Sequence, residues 1–97
     1  MTQLFNTIKD TGFEGITVKK LAEHEAYEIV LITLEGGAKI PSHVANRDAQ
    51  LVMLEGRIKF HIEDETYDLS SQQTIHFDKN ITHWVEAEED SKFVLVK

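Results

Sequence analysis

An all-β domain, closed as a barrel or a sandwich, is what these 97 residues predict. Roughly eight short apolar runs succeed one another at turn spacing, a pattern of barrels and sandwiches. The strongest run is built of β-branched and aromatic residues, which suit a pleated, half-buried surface. Helix signals are weak throughout.

At the start, Thr2 to Lys9 fits a short helix or, equally, an edge strand. Ile16 to Leu21 is the first clear strand. Tyr27 to Leu34 (YEIVLITL) follows, and both of its parities are apolar: Ile29 and Leu31 on one, Val30, Ile32 and Leu34 on the other. A strand apolar on both faces must be covered on both. Gly36-Gly37 breaks it. The stretch Ile40 to Gln50 (IPSHVANRDAQ) reads as a loop between apolar runs and carries the only proline together with His43. Leu51 to Leu54 is the next run, ended by Glu55-Gly56. Arg57 to Ile62 alternates, with Ile58, Phe60 and Ile62 facing one way and Arg57, Lys59 and His61 the other. Glu63-Asp64-Glu65 is a polar turn, and Thr66 to Leu69 returns, so the pair predicts a hairpin. After the polar Ser70 to Gln73, strands are expected over Thr74–Phe77, Ile81–Ala87 and Lys92–Val96, with turns at Asp78–Asn80 and Glu88–Ser91.

The composition limits the function classes. Ten Lys+Arg stand against 17 Asp+Glu, a net charge of -7. Such a chain is repelled by phosphate backbones unless its cations cluster. The longest basic run is Lys19-Lys20, so neither nucleic acid nor an anionic membrane is expected as a partner. With no cysteine, disulfides, zinc-thiolate sites and thiol catalysis are excluded. MTQLFNTIKD has no basic start followed by a long apolar core, and no apolar run reaches membrane length. The expected location is the cytoplasm.

The ordered set GAKIPSH…LVMLEGRIKFHI…YDLSSQQTIHFDKNITHWVEAEEDSKFVLVK resembles the small single-domain cupins of the conserved-barrel type. The resemblance covers about residues 27 to 97. It implies one domain over residues 1–97, folded as a double-stranded β-helix, a jelly-roll barrel of two sheets, with residues 1–15 peripheral to it. It also implies a homodimer and a metal-binding lumen. The family's first motif runs Gly, His, a second His, Glu and Gly. Here Gly37, His43 and Gly56 fall in place, Ala45 stands for the second His, and Ala49 for the Glu, with Gln50 beside it. In the second motif Gln72-Gln73 stand for Gly-Asp, Asp78 for Pro, Asn80 for Gly, and His83 for the closing His.

The resemblance therefore leaves His43 and His83 as metal ligands, with Gln50 as a weaker stand-in for the acid. Two neutral imidazoles and an amide lack the anionic ligand or third imidazole that usually holds a divalent Fe, Mn, Ni or Zn ion. The resemblance places His43 and His83 in the lumen. Gln50 shares parity with Val52 and Leu54, so either it lines the lumen with them or it sits in solvent at the frayed start of the strand. His76 is a substitute imidazole or a locally bonded histidine. Trp84, of opposite parity to His83, should face away from the lumen, beneath a partner subunit or the N-terminal segment. His61 should face solvent or a subunit, and Arg47 with Asp48 form a surface ion pair. Two functions follow from these expectations. One is a small-molecule-binding barrel with a degenerate or absent metal site. The other is a metal-dependent dioxygenase or isomerase of a small organic acid that uses His43 and His83. No Ser-His-Asp order, phosphate-cradling loop or catalytic carboxylate pair is present.

Overall fold

The alternation of inward and outward residues builds two antiparallel sheets with a common interior. The structure, a computed structural model, describes residues 1–97. After a one-turn helix, α1 (Thr7–Asp10), come nine strands: β1 (Ile16–Glu23), β2 (Glu28–Leu34), β3 (Lys39–His43), β4 (Ala49–Glu55), β5 (Arg57–Ile62), β6 (Glu65–Ser70), β7 (Thr74–Phe77), β8 (His83–Ala87) and β9 (Ser91–Val96). One sheet has the order β1-β2-β9-β4-β7 and the other β3-β8-β5-β6. This is the jelly-roll barrel, and the strand order interleaves distant parts of the chain.

Each sheet turns one parity inward. The larger sheet contributes Val30, Ile32, Leu34, Leu51, Met53, Phe77 and Phe93; the smaller contributes Ile58, Phe60, Ile62, Leu69 and Val85. Burying side chains of this size contributes about 1.5–3 kcal/mol each.

The two-sided β2 is covered on both faces, as its pattern requires. Its outward Leu31 and Thr33 are each 0% exposed. They share their face with Lys92 of β9, and the chain before β1 is tied to this face. The Lys92 ammonium donates to the Ile8 carbonyl at 2.6 Å and sits 5.2 Å from the centre of the Phe13 ring. Lys19 donates to the Thr11 hydroxyl at 3.2 Å. Of the two possibilities for the N-terminal residues, the short helix is the one formed.

One strand lies where a loop was expected. Lys39–His43 forms β3, at the edge of the smaller sheet. Proline lacks the N–H of an inner strand but is tolerated at an edge, so Pro41 does not end the pairing. The β5–β6 hairpin turns on Glu63 and Asp64, both at positive φ (52° and 61°), as in a two-residue type I′ turn.

A tighter constraint lies between β4 and β5, where Gly56 alone carries the chain from one sheet to the other. Its φ is +89°, and a Cβ there would collide with the Asp90 carbonyl oxygen and the Ser91 hydroxyl. Gly56→Ala is therefore expected to cost more than about 2 kcal/mol, from steric overlap and backbone strain together. Urea denaturation would measure it, and a midpoint unchanged from wild type would show that the corner tolerates a side chain.

Candidate functional site

The histidine at position 43 faces the lumen because β3 is bulged. In the β3–β8 ladder Ile40 stands opposite Val85 and His43 opposite His83, with a register shift between Ile40 and His43. Three steps along β3 match two along β8, so one extra residue lies within Pro41-Ser42. Regular alternation would send His43 to the face opposite Ile40. The bulge returns it to the inner face, beside His83. The ring centroids are 4.3 Å apart, inclined at 60°. His83 is buried, at 4% exposure, and its ring packs 4.6 Å from Phe77 and 5.5 Å from Phe60. His43 is exposed.

Both rings are held in the same way. His43 Nδ1 lies 2.9 Å from the Pro41 carbonyl oxygen, and His83 Nδ1 lies 2.9 Å from that of Ile81. A carbonyl oxygen only accepts, so Nδ1 carries the proton and donates. The remaining nitrogen, Nε2, is then a lone-pair acceptor in the neutral ring, and no protein group bonds it in either histidine. Burial pushes the His83 imidazole below its ordinary value; the bond to Ile81 opposes this and the neighbouring His43 adds to it.

A cavity of about 230 Å³ adjoins the pair, with walls from Leu51, Phe60, Phe77, Val85, Phe93 and Leu95. Ile16 and Val18 of the edge strand β1 also line it and are 46% and 61% exposed, so they form its mouth. The charged residue on its lining, Lys97, holds its ammonium 3.4 Å from Glu28. A wider hollow of about 510 Å³ lies around the β5–β6 turn and includes His61 and Trp84. None of its lining residues belongs to the histidine pair, so it is a separate surface feature.

Of the residues expected in the lumen, His43 and His83 are brought together there, and Gln50, Val52 and His76 are not. The inward residues of β4 are Ala49, Leu51 and Met53, each 2% exposed or less. Gln50 and Val52 therefore project outward. Gln50 stands opposite His76 and Val96. β4 is an inner strand, apolar on both faces, so its parity could not be read from its own residues. His76, alternating with the inward Phe77, is exposed and bonds the Asp78 carboxylate at 3.2 Å.

These positions test the metal centre that the resemblance implies. Ala49 faces inward, where an acid would reach the lumen, and Ala45 packs against the core. Gln50 cannot replace the acid because it lies on the other face. No carboxylate, thiolate or third imidazole lines the cavity. The donor set does not fit a resident divalent ion.

Other polar clusters lie outside the lumen. Asp48, His76 and Asp78 place ligand atoms within 4.8 Å of one another on the surface, where they could hold a cation. Sequence reasoning missed this group because Asp48 is distant in the chain from the locally bonded His76 and Asp78 and meets them only through the pairing of β4 with β7. Asp48 makes no ion pair with Arg47; it accepts the Lys79 backbone N–H at 2.9 Å and so ties the β3–β4 loop to the β7–β8 turn. Trp84 faces away from the lumen, as its parity requires, and stacks on His61 at 3.8 Å with the rings 7° from parallel. The N-terminal segment covers the other sheet, not Trp84. His61 also bonds Thr66 at 3.0 Å and Glu86 at 3.4 Å.

Two interleaved antiparallel sheets around a lumen with a histidine pair define a cupin-type barrel. The cupin domain family matches residues 30–96, and the chain belongs to that family. Among solved structures it is similar to a conserved protein of unknown function from Streptococcus pyogenes, with 24% identity, a TM-score of 0.86, and coverage of 99% of this chain and 86% of that one. An RmlC-like cupin from Desulfovibrio desulfuricans shares 22% identity at a TM-score of 0.86, covering 99% and 95%. An RmlC-like cupin with a double-stranded β-helix fold from Methanocaldococcus jannaschii shares 20% at a TM-score of 0.85, covering 100% and 90%. At these identities the likeness shows the fold. No protein of curated function matches the chain. No helix is long and apolar enough to cross a membrane.

The lowered His83 value has a consequence for stability. Unfolded, the ring returns to its ordinary value of about 6.5. Below that pH the unfolded chain takes up the proton more readily than the folded one. The stability contributed by His83 is thus present above about pH 6.5 and is lost as pH falls through the lower folded value. The thermal midpoint is expected to fall more steeply between about pH 7.5 and 5.5 in wild type than in His83→Gln. Equal slopes would show that His83 is not the titrating group.

Proposed function

We propose that this protein is a small-molecule-binding cupin, with its ligand held in the lumen at the His43–His83 pair and without a resident divalent metal. The observation that carries this reading is the pair itself: two backbone-oriented imidazoles with free Nε2 atoms open onto a 230 Å³ cavity walled by apolar side chains. An apolar cavity with a few fixed polar groups is the usual composition of a ligand site. The test is a nuclear magnetic resonance titration of the labelled chain with small neutral and anionic aromatic compounds. Expected are shifts at His43, His83, Phe60 and Leu51, abolished in Leu51→Trp, which fills the cavity. No lumen shift with any compound would overturn the reading.

The metal part has its own test. Protein purified without a nickel column is expected to carry no stoichiometric transition metal. Ala45→His combined with Ala49→Glu should create affinity for Zn²⁺ or Ni²⁺, because it adds an imidazole and a carboxylate at positions packed against or facing the core. A stoichiometric ion in wild type that disappears in His43→Ala would sink this part.

We also propose that the chain is a homodimer. Support comes from Ile16 and Val18, apolar and exposed on the inner face of β1, an edge strand paired only with β2, whose free edge natural proteins rarely leave open. Light scattering should give twice the 11.1 kDa of the chain, and Val18→Lys should halve it. A wild-type mass of one chain would refute the dimer.

A further inference from the structure

At the histidine end of the lumen the polar equipment is one-sided. Each histidine spends its N–H on a backbone carbonyl, so each offers the cavity a lone pair and no donor. Beside the pair in its own sheet β5 contributes Phe60, and across the lumen the other sheet contributes Leu51 from β4, Phe77 from β7 and Phe93 from β9. None of these has a polar side-chain atom. Among titratable groups His83 faces only His43, and Lys97 at the end of β9 is paired with Glu28. Burial also disfavours the proton that would convert His83 into a donor.

Such a site repels what it cannot bond. A carboxylate brings only acceptor oxygens, which would meet two acceptor nitrogens and lose their water. An O–H or N–H meets a matching lone pair. We infer that the lumen selects an electrically neutral ligand carrying a hydrogen-bond donor, such as an alcohol, phenol or amide N–H, on an otherwise apolar frame. This inference rests on the lumen-binding reading above and names its ligand class. At about 230 Å³ the cavity lies below the ~300–1,000 Å³ of ordinary small-molecule pockets, so the ligand is a single ring or a short chain. The donor head meets the Nε2 lone pairs of the imidazoles and the apolar frame lies against Phe60, Phe77 and Leu51.

Three probes of matched size separate the possibilities: benzyl alcohol, toluene and benzoate, titrated into the full chain and followed by the lumen resonances. At about pH 7.5 benzyl alcohol is expected to bind about tenfold tighter than either of the others, the worth of one made or unmade hydrogen bond. Benzoate should gain affinity as the pH is lowered, because it then binds together with a proton. In His43→Leu the advantage of the alcohol over toluene should shrink while toluene still binds. His83→Leu should act in the same way, and the exposed position of His43 keeps the test open if the buried variant fails to fold. Benzoate binding as tightly as the alcohol at about pH 7.5 would overturn the inference and leave the lumen reading standing, as would an alcohol advantage unchanged in His43→Leu. Failure of all three probes to reach the lumen would overturn both.

Discussion

Where Gly56 hands the chain from β4 to β5, the phase of the whole interior is set. On one side of the corner the odd residues Ala49, Leu51 and Met53 point inward; on the other, the even residues Ile58, Phe60 and Ile62 do. Ser91, wholly buried, locks the same corner: its hydroxyl accepts the Arg57 N–H at 3.0 Å and lies 2.7 Å from the Glu89 carbonyl and 3.1 Å from that of Arg57. Strand β9 begins at Ser91 and runs between β2 and β4. The corner therefore fixes three strands together, and a slip at any of them would invert which side chains face the cavity. Asp90 extends the tie by accepting the Gly36 N–H at 2.8 Å, next to the β2–β3 turn.

The histidine pair inherits this order and adds an asymmetry. One ring is buried against Phe60 and Phe77 while the other is reached by solvent. Both are oriented by backbone carbonyls, where metal-binding histidines in general rely on such second contacts to fix their tautomer. The chain thus keeps the machinery that aims the imidazoles while lacking the acid and the third nitrogen that would use it for a divalent ion. What remains is a pair of acceptors in an apolar wall, suited to recognition.

Most of the strand pattern was legible because it depends on local alternation and turn residues. Thr74–Phe77 and Arg57–Ile62 begin and end as their periodicity requires, and the two-faced YEIVLITL announces a strand covered twice. Its second cover, the segment held by Lys92, was not legible, since that contact spans 84 residues. Nor was β3: a proline and a histidine in an otherwise polar stretch look like loop until a partner strand supplies the ladder. The site was half legible. His43 and His83 were placed in the lumen by the family resemblance, which periodicity alone does not supply, and Trp84 was placed outside it by its parity opposite to His83. The orientation of Gln50 is settled only by which face of β4 meets the smaller sheet, a tertiary fact that a run apolar on both faces conceals. In the Asp48–His76–Asp78 group only the His76–Asp78 contact is local, and Asp48 joins it through strand pairing at a sheet edge, which leaves no mark in the sequence.

The bulge at Pro41-Ser42 makes this lumen a matter of chain length as much as of chemistry. His43 lies opposite His83 only because β3 spends three steps where β8 spends two. Losing a single residue there would preserve every ligand letter and still dismantle the pair. Gaining one in a related barrel could assemble a pair from residues already present. Divergence among such barrels would then proceed through small insertions and deletions beside the edge strand, and comparing them by side-chain identity alone would miss the change that matters.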